Sequence, residues 1–358
     1  MSVGGHRYSR PLEGYFFDDF SIDRVFNHAT PRTVTAGDVS LYIALTGARN
    51  PLHCAEPLAR SMGYRACPVD DLLVFNIAFG KTVPDVSYNA IANLGYADVR
   101  FREPVYVGDT LTCQSRVIGL KENSSGKSGI VYVTSTAYNQ HGTEVLCWDR
   151  WVMVARREGS ESPETLIPPL ADEVASSEFH VPRFLEVAAL DAEFTASARL
   201  WDDYAPGDTI DHPGGMTIEE SDHMLATRLY QNTARIHFDA HLAQGNQFKR
   251  RLVYGGHVIS LCRALGYDGL ENAFAIAAIH GGTHANPTFA GDTIYCRHVV
   301  TARDPIPGRR DVGALRLRML GVKNVELASL PALGPDEKNP AVVLDLDYSV
   351  LMPRRQNP

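Results

Sequence analysis

At 358 residues, 44% hydrophobic and 21% charged, the chain has the profile of a globular protein long enough for two domains of ordinary size. A formal net charge of −8 and a pI near 5.9 argue against a nucleic-acid partner, which needs a clustered basic face. Residues 1–8 lack the apolar core of a signal peptide, and no apolar run reaches the length of a membrane span. A membrane is therefore not an expected partner, and the cytoplasm is the expected compartment.

In chain order, a polar, loop-like lead carries Phe17-Asp18-Asp19-Phe20 and ends at Thr35-Ala36-Gly37-Asp38, where Thr and Asp suit a helix start. After that helix an irregular stretch holds His53. Residues 72–79 are apolar nearly all round and predict a helix that other elements must wrap. Residues 110–119, 129–138 and 144–154 are rich in β-branched and aromatic residues and read as strands. Residues 158–185, with Pro163, Pro168 and Pro169 among Ser and Glu, read as a linker.

The same order then repeats. Trp201-Asp202-Asp203-Tyr204 answers the first aromatic-acidic cluster, Glu219-Glu220-Ser221-Asp222 opens a helix, and His237 follows Asp222 by 15 residues as His53 follows Asp38. Each histidine lies 18 residues before a helix opening, at Asp71 and Gly255. In the second helix Val258, Leu261, Cys262 and Leu265 recur at helical spacing. Strands are expected over 274–279, 293–303, 313–320 and 341–351. Between strands, Gly108-Asp109-Thr110 and Gly291-Asp292-Thr293 read as turns common to both copies.

A constant offset across the chain means one fold used twice. The expected class is α+β: a tandem, or double, hotdog in which each antiparallel sheet wraps a central apolar helix, the two related by a pseudo-two-fold. The expected divisions are 12–157 for the first hotdog, 158–185 for the linker and 186–353 for the second. Further self-association is left open.

Six cysteines without a C-x-x-C pair suit burial as small apolar residues. His237 and His241 have helical ligand spacing, but no Glu lies between them and no third ligand is evident, so no metal is expected. His280, His284 and His298 fall in or beside strands and read as structural.

Thr46-Gly47-Ala48-Arg49-Asn50-Pro51-Leu52-His53 closely resembles the motif of MaoC-like (R)-specific enoyl-CoA hydratases, Ser/Thr-Gly-Asp-x-Asn-Pro-aliphatic-His. Tyr230-Gln231-Asn232-Thr233-Ala234-Arg235-Ile236-His237 follows it more loosely, and the resemblance extends over nearly the whole chain. It implies a hydro-lyase acting on a CoA thioester without a cofactor. In that family the aspartate and histidine hold the water, and an amide at the N-terminus of the hotdog helix binds the thioester carbonyl. Such an N-terminus suits a developing enolate because its amides are free and its dipole end is positive. Within the family, Gln231 to Asp239 and Val253-Tyr254-Gly255-Gly256-His257 look most like members acting on a short, branched dicarboxylic thioester.

Both copies depart from the pattern. The aspartate position is Ala48 in the first and Asn232 in the second, while the helix opens Asp70-Asp71 in the first and Tyr254-Gly255-Gly256 in the second. A carboxylate where an enolate oxygen must sit would repel it by ~4 kcal/mol at an effective dielectric near 20. The second copy is therefore expected to be catalytic and the first inactive, with His53 a relic. Asn232 and His237 are the expected catalytic pair, and Gly255 and Gly256 the expected thioester-binding amides. Asp239 is a less favoured substitute for the lost aspartate. Arg235, standing where the motif has proline, is the candidate for a second substrate carboxylate, with Arg228 behind it. Lys249, Arg250 and Arg251 are either a solvated face or contacts for CoA phosphates. The alternatives are a hydratase of simple enoyl chains, a silent acyl-CoA binder and a thioesterase.

Overall fold

A computed structural model describes residues 10–190, 192–334 and 337–356. Residues 1–8, read above for a signal peptide, lie outside the described residues. The first unit contains β1 (Val25–Thr33), α1 (Ala36–Thr46), α2 (Pro51–Cys54), α3 (Glu56–Ser61), α4 (Asp71–Thr82), β2 (Ala90–Phe101), β3 (Thr110–Glu122), β4 (Ser128–Tyr138) and β5 (Glu144–Ala155). After α5 (Ala192–Thr195) the second unit repeats the series as β6 (Thr209–Thr217), α6 (Glu220–Leu229), α7 (Arg235–Phe238), α8 (Ala240–Ala243), α9 (Gly255–Leu265), β7 (Ala275–Thr283), β8 (Thr293–Pro305), β9 (Val312–Lys323) and β10 (Val342–Pro353).

All ten strands form one antiparallel sheet in the order β1-β3-β4-β5-β2-β7-β10-β9-β8-β6. The order reads the same from either end, and the units join where β2 pairs with β7, Tyr96 opposite Gly282 and Arg100 opposite Ala278. Helix α4 is buried along Leu72–Thr82, and α9 along Gly256–Cys262, as apolar helices wrapped by a sheet must be. The two cross on the pseudo-two-fold, where Asn76 Nδ2 donates to Ser260 Oγ at 3.0 Å and to the Gly256 carbonyl at 3.3 Å. The main apolar cluster runs through both units, from Phe75 and Trp148 to Leu261 and Leu346.

Three strands were not legible in the sequence. The loop-like leads are the edge strands β1 and β6, which carry Pro31 and Pro213 at register shifts between His28 and Arg32 and between His212 and Met216. Proline is tolerated there because an outer edge needs no ladder donor. Strand β2 has register shifts and a positive φ at Asp98, so its alternation is broken; pairing with β5 on one side and β7 on the other holds it.

The local signals that did hold have visible causes. Thr35 Oγ1 accepts from the Asp38 amide at 3.2 Å and Asp38 accepts from the Thr35 amide at 2.8 Å, a reciprocal cap on α1. The expected cap on α6 is not made, since Glu219 offers no side-chain bond there. Gly108 and Gly291 take φ of 98° and 92°, while Asp109 and Asp292 accept from the amides of Tyr106 and Phe289. Residues 158–185 pack along the molecule: Leu166 bridges Leu120, and Val174, Phe179 and Leu185 are buried. Cysteine burial is uneven, with Cys113, Cys262 and Cys296 buried and Cys54 exposed. Among the described residues no helix is long and apolar enough to cross a membrane.

Candidate active site

Short helices α2 and α7 place His53 and His237 in equivalent positions. His53 Nδ1 donates to the Pro68 carbonyl at 3.0 Å and His237 Nδ1 to the Leu252 carbonyl at 2.9 Å. A carbonyl can only accept, so in each ring Nδ1 carries the proton and Nε2 is left as the acceptor. Burial lowers the His237 pKa to about 4, the Leu252 carbonyl pulling weakly the other way. His237 is therefore a neutral acceptor at pH 7.

What surrounds the two histidines differs sharply. His53 lines a pocket of about 20 Å³ closed by Asp70, Asp71, Arg263 and Phe274. Asp70 caps α4 by accepting from the Leu72 amide at 2.9 Å, and Asp71 accepts from the Ile276 amide of the other unit at 2.8 Å. Burial raises the Asp71 pKa to about 6, opposed by His53. His237 opens instead on a cavity of about 670 Å³. A volume of about 670 Å³ falls within the range of small-molecule sites, and about 20 Å³ does not.

In that cavity Asn232, His237 and Gly255 come together. Asn232 is buried, and its Oδ1 accepts from the Ala234 amide at 3.1 Å, which leaves Nδ2 as the side chain's donor. The N-cap of α9, Tyr254, makes no side-chain cap, so the first amides of the helix keep their donor capacity. Gly255 lines the cavity; a Cβ there would overlap the ring of His284. Gly256 lies behind it, where a Cβ would collide with Asn76 Oδ1 and the Tyr254 ring. Its glycine is explained by the helix crossing.

The other sequence candidates fall elsewhere. Arg235 is exposed, stacks its guanidinium over Tyr88 at 4.4 Å and is not among the residues lining the cavity. Arg228 is exposed and donates to the Met224 carbonyl of its own helix. Asp239 caps α8 by accepting from the Leu242 amide at 2.9 Å, a structural task. Arg251 pairs with Glu220 at 2.5 Å, whereas Lys249 and Arg250 are exposed just beyond the lining residues Asn246–Phe248, numbered 246–248. His241 is exposed on α8. His280 and His298 are structural, bonded on both nitrogens: His280 to the Val174 amide and Ser349, His298 to His212 and Tyr348. Among the described residues, His212, Cys296 and His298 have metal-like spacing, but both His298 nitrogens and both His212 nitrogens are taken up by hydrogen bonds.

Residues that the motif does not contain complete the cavity. His284, read as structural, packs on Gly255, and its Nε2 lies 2.9 Å from Tyr96 Oη on β2 of the first unit. Burial lowers its pKa to about 4. Phe79, Asn93, Tyr96 and Arg150 of the first unit also line it, so the open site is built by both copies. One signal was available in advance: along β5 the inward phase reads Trp148, Arg150, Val152, Val154, a charge in an apolar register.

The chain matches the family model described as mesaconyl-CoA hydratase over residues 6–326. It belongs to the mesaconyl-CoA hydratase family. It is 52% identical to β-methylmalyl-CoA dehydratase of Chloroflexus aurantiacus, over 96% of this chain and 98% of that one. To mesaconyl-CoA hydratase of Cereibacter sphaeroides it is 48% identical, over 95% and 98%. The crystal structure of a MaoC domain dehydratase from Chloroflexus aurantiacus superposes with a TM-score of 0.94 at 51% identity, covering 97% of this chain and 100% of that one. A Mycobacterium tuberculosis protein with a double hotdog fold superposes at 0.79 with 25% identity, covering 95% and 99%. This member of the mesaconyl-CoA hydratase family therefore has the α+β double hotdog fold expected from its duplication.

Proposed function

We propose that this chain is a hydro-lyase that reversibly adds water to mesaconyl-CoA, 2-methylfumaryl-CoA, to give β-methylmalyl-CoA, and that it does so in the second unit's cavity. The substrate follows from 52% identity to a β-methylmalyl-CoA dehydratase over nearly the full length of both chains. The observation that carries the placement is the contrast between a pocket of about 20 Å³ blocked by two carboxylates and a cavity of about 670 Å³ with an uncapped helix start.

In this reading Asn232 Nδ2 donates to the water oxygen and His237 Nε2 accepts one water proton as the oxygen bonds C3 of the acyl chain. The π electrons move toward the thioester, and the Gly255 amide at the N-terminus of α9 donates to the enolate oxygen that forms. The His237 imidazolium then returns its proton to C2, completing a syn addition with no net proton change. Burial that keeps His237 neutral also makes its imidazolium a better acid, which favours the second transfer. The exposed Lys249 and Arg250, next to the lining residue Phe248, are the candidate contacts for CoA phosphates in this reading.

The test is to mix the protein with mesaconyl-CoA, following enoyl-thioester absorbance and free thiol together. Loss of absorbance without thiol release is expected. Thiol release would indicate a thioesterase, and binding with neither change an acyl-CoA binder.

A further inference from the structure

The open cavity contains a group that hydration of a simple enoyl chain does not require. Arg150, on β5 of the first unit, is fully buried. Its Nε and Nη1 have no hydrogen-bond partner, and Nη2 has only a long 3.5 Å contact to Ser87 Oγ. Among the described residues no carboxylate lies within ion-pair distance of it; its charge rests over the Phe79 ring at 4.3 Å. Next to it in the same lining, both amide atoms of Asn93 and the hydroxyl of Tyr254 are also buried without partners.

A buried cation without a counter-ion is held against a desolvation penalty that a ring contact offsets only in part. Burial accordingly lowers the Arg150 pKa to about 10, with Tyr96 and Tyr254 acting to raise it, so the guanidinium stays charged at pH 7. The fold itself does not call for this charge. Arg150 stands opposite Tyr96 in the β2–β5 ladder, and the equivalent place in the β7–β10 ladder, opposite Ile279, holds Tyr348, which is bonded to His298. One copy fills the position with a satisfied neutral side chain, and the other with an unsatisfied cation facing the open cavity.

We infer that Arg150, supplied by the non-catalytic unit, receives the second carboxylate of a dicarboxylic acyl-CoA bound at the second unit's site. This rests on the hydratase reading above and assigns the carboxylate to Arg150 in place of the exposed Arg235. A guanidinium fork can take both carboxylate oxygens, with Asn93 Nδ2 or Tyr254 Oη adding a further donor. In mesaconyl-CoA that carboxylate sits on C3, the carbon that gains oxygen, so the cation also offsets repulsion between the carboxylate and the negative charge that develops on the attacking oxygen.

The experiment compares mesaconyl-CoA with crotonyl-CoA, which lacks the second carboxylate, in Arg150→Met and Arg150→Lys full-length chains. Turnover is read from enoyl-thioester absorbance, and binding from titration calorimetry in a His237→Ala background, where substrate is not consumed. Arg150→Met is expected to lower kcat/KM and affinity for mesaconyl-CoA by roughly 10²–10³-fold and to change those for crotonyl-CoA by less than about 3-fold. Arg150→Lys should fall between, and the ligand-free Tm of Arg150→Met should not drop. Equal losses on both thioesters, or a lower ligand-free Tm restored together with full mesaconyl-CoA turnover by Arg150→Tyr, would overturn the assignment and leave the hydratase reading standing. Failure of the unaltered chain to hydrate mesaconyl-CoA would instead remove the hydratase reading.

Discussion

Gly255→Ala tests whether the start of α9 is where the thioester sits. A Cβ at this position overlaps the His284 ring; even Nδ1 would be only 2.6 Å away, roughly 0.8 Å short of the 3.4 Å at which ordinary contact begins. His284 must swing, and its 2.9 Å bond to Tyr96 Oη is lost. That bond contributes on the order of 1 kcal/mol, and His284 is only half-buried, so the Tm should fall by a few degrees at most. The kinetic effect should be far larger. The methyl group and the displaced His284 ring crowd the cavity wall beside the Gly255 amide, and a displacement of ~1 Å at a reacting centre costs about 10²-fold, or about 2.7 kcal/mol in barrier. Steady-state hydration of mesaconyl-CoA and urea unfolding of the same preparation would separate the two effects. Gly255→Ala/His284→Ala relieves the overlap but still lacks the Tyr96 bond, so it should recover neither the lost Tm nor kcat. Full kcat/KM in Gly255→Ala would refute the reasoning, because a thioester bound by that amide cannot tolerate the added carbon.

His237→Ala should lower kcat by ~10²–10⁴-fold, whereas His53→Ala should leave turnover of mesaconyl-CoA unchanged; reversed losses would reassign the active copy. Asn232→Ala should raise the barrier by about 2–4 kcal/mol, and Asn232→Asp, which keeps an acceptor for the Ala234 amide, should remain measurably active; full activity in Asn232→Ala would place the water elsewhere. With the His237 pKa lowered to about 4, kcat/KM should hold between pH 6.5 and 5, where an ordinary histidine would already be protonated; a limb near 6.5 would show that His237 is solvated or not the base. Asp71 carries the opposite sign. Its folded pKa of about 6 lies above the ordinary 3.8, so the folded state binds the extra proton and the Asp71 contribution to stability declines as pH rises from about 4 to 6. Asp71→Asn should remove that decline relative to the parent chain in urea midpoints taken at pH 4, 5, 6 and 7, and an unchanged profile would mean that the carboxyl is hydrated.

The sequence by itself determined the duplication, both buried helices and most of the sheet. Those features are written in local periodicity: apolar residues all round at 72–79, helical spacing through Val258 and Leu265, and β-rich runs that became β3–β5 and β7–β10. It also determined the asymmetry between copies, because pseudo-equivalent positions can be compared directly, Asp71 against Gly255 and Ala48 against Asn232. Periodicity could not find β1, β6 and β2, where prolines, bulges and a positive φ break the alternation and neighbouring strands supply the order. The composition of the cavity was decided only in three dimensions. Pairing β2 with β7 and crossing α4 over α9 carries Phe79, Asn93, Tyr96 and Arg150 of one copy to Asn232, His237 and Gly255 of the other, more than 80 residues away in the chain. Whether an arginine is solvated or stranded depends on which surfaces close around it: Arg235, inside the motif, is left in water, while Arg150, outside it, is enclosed with an unpaired charge.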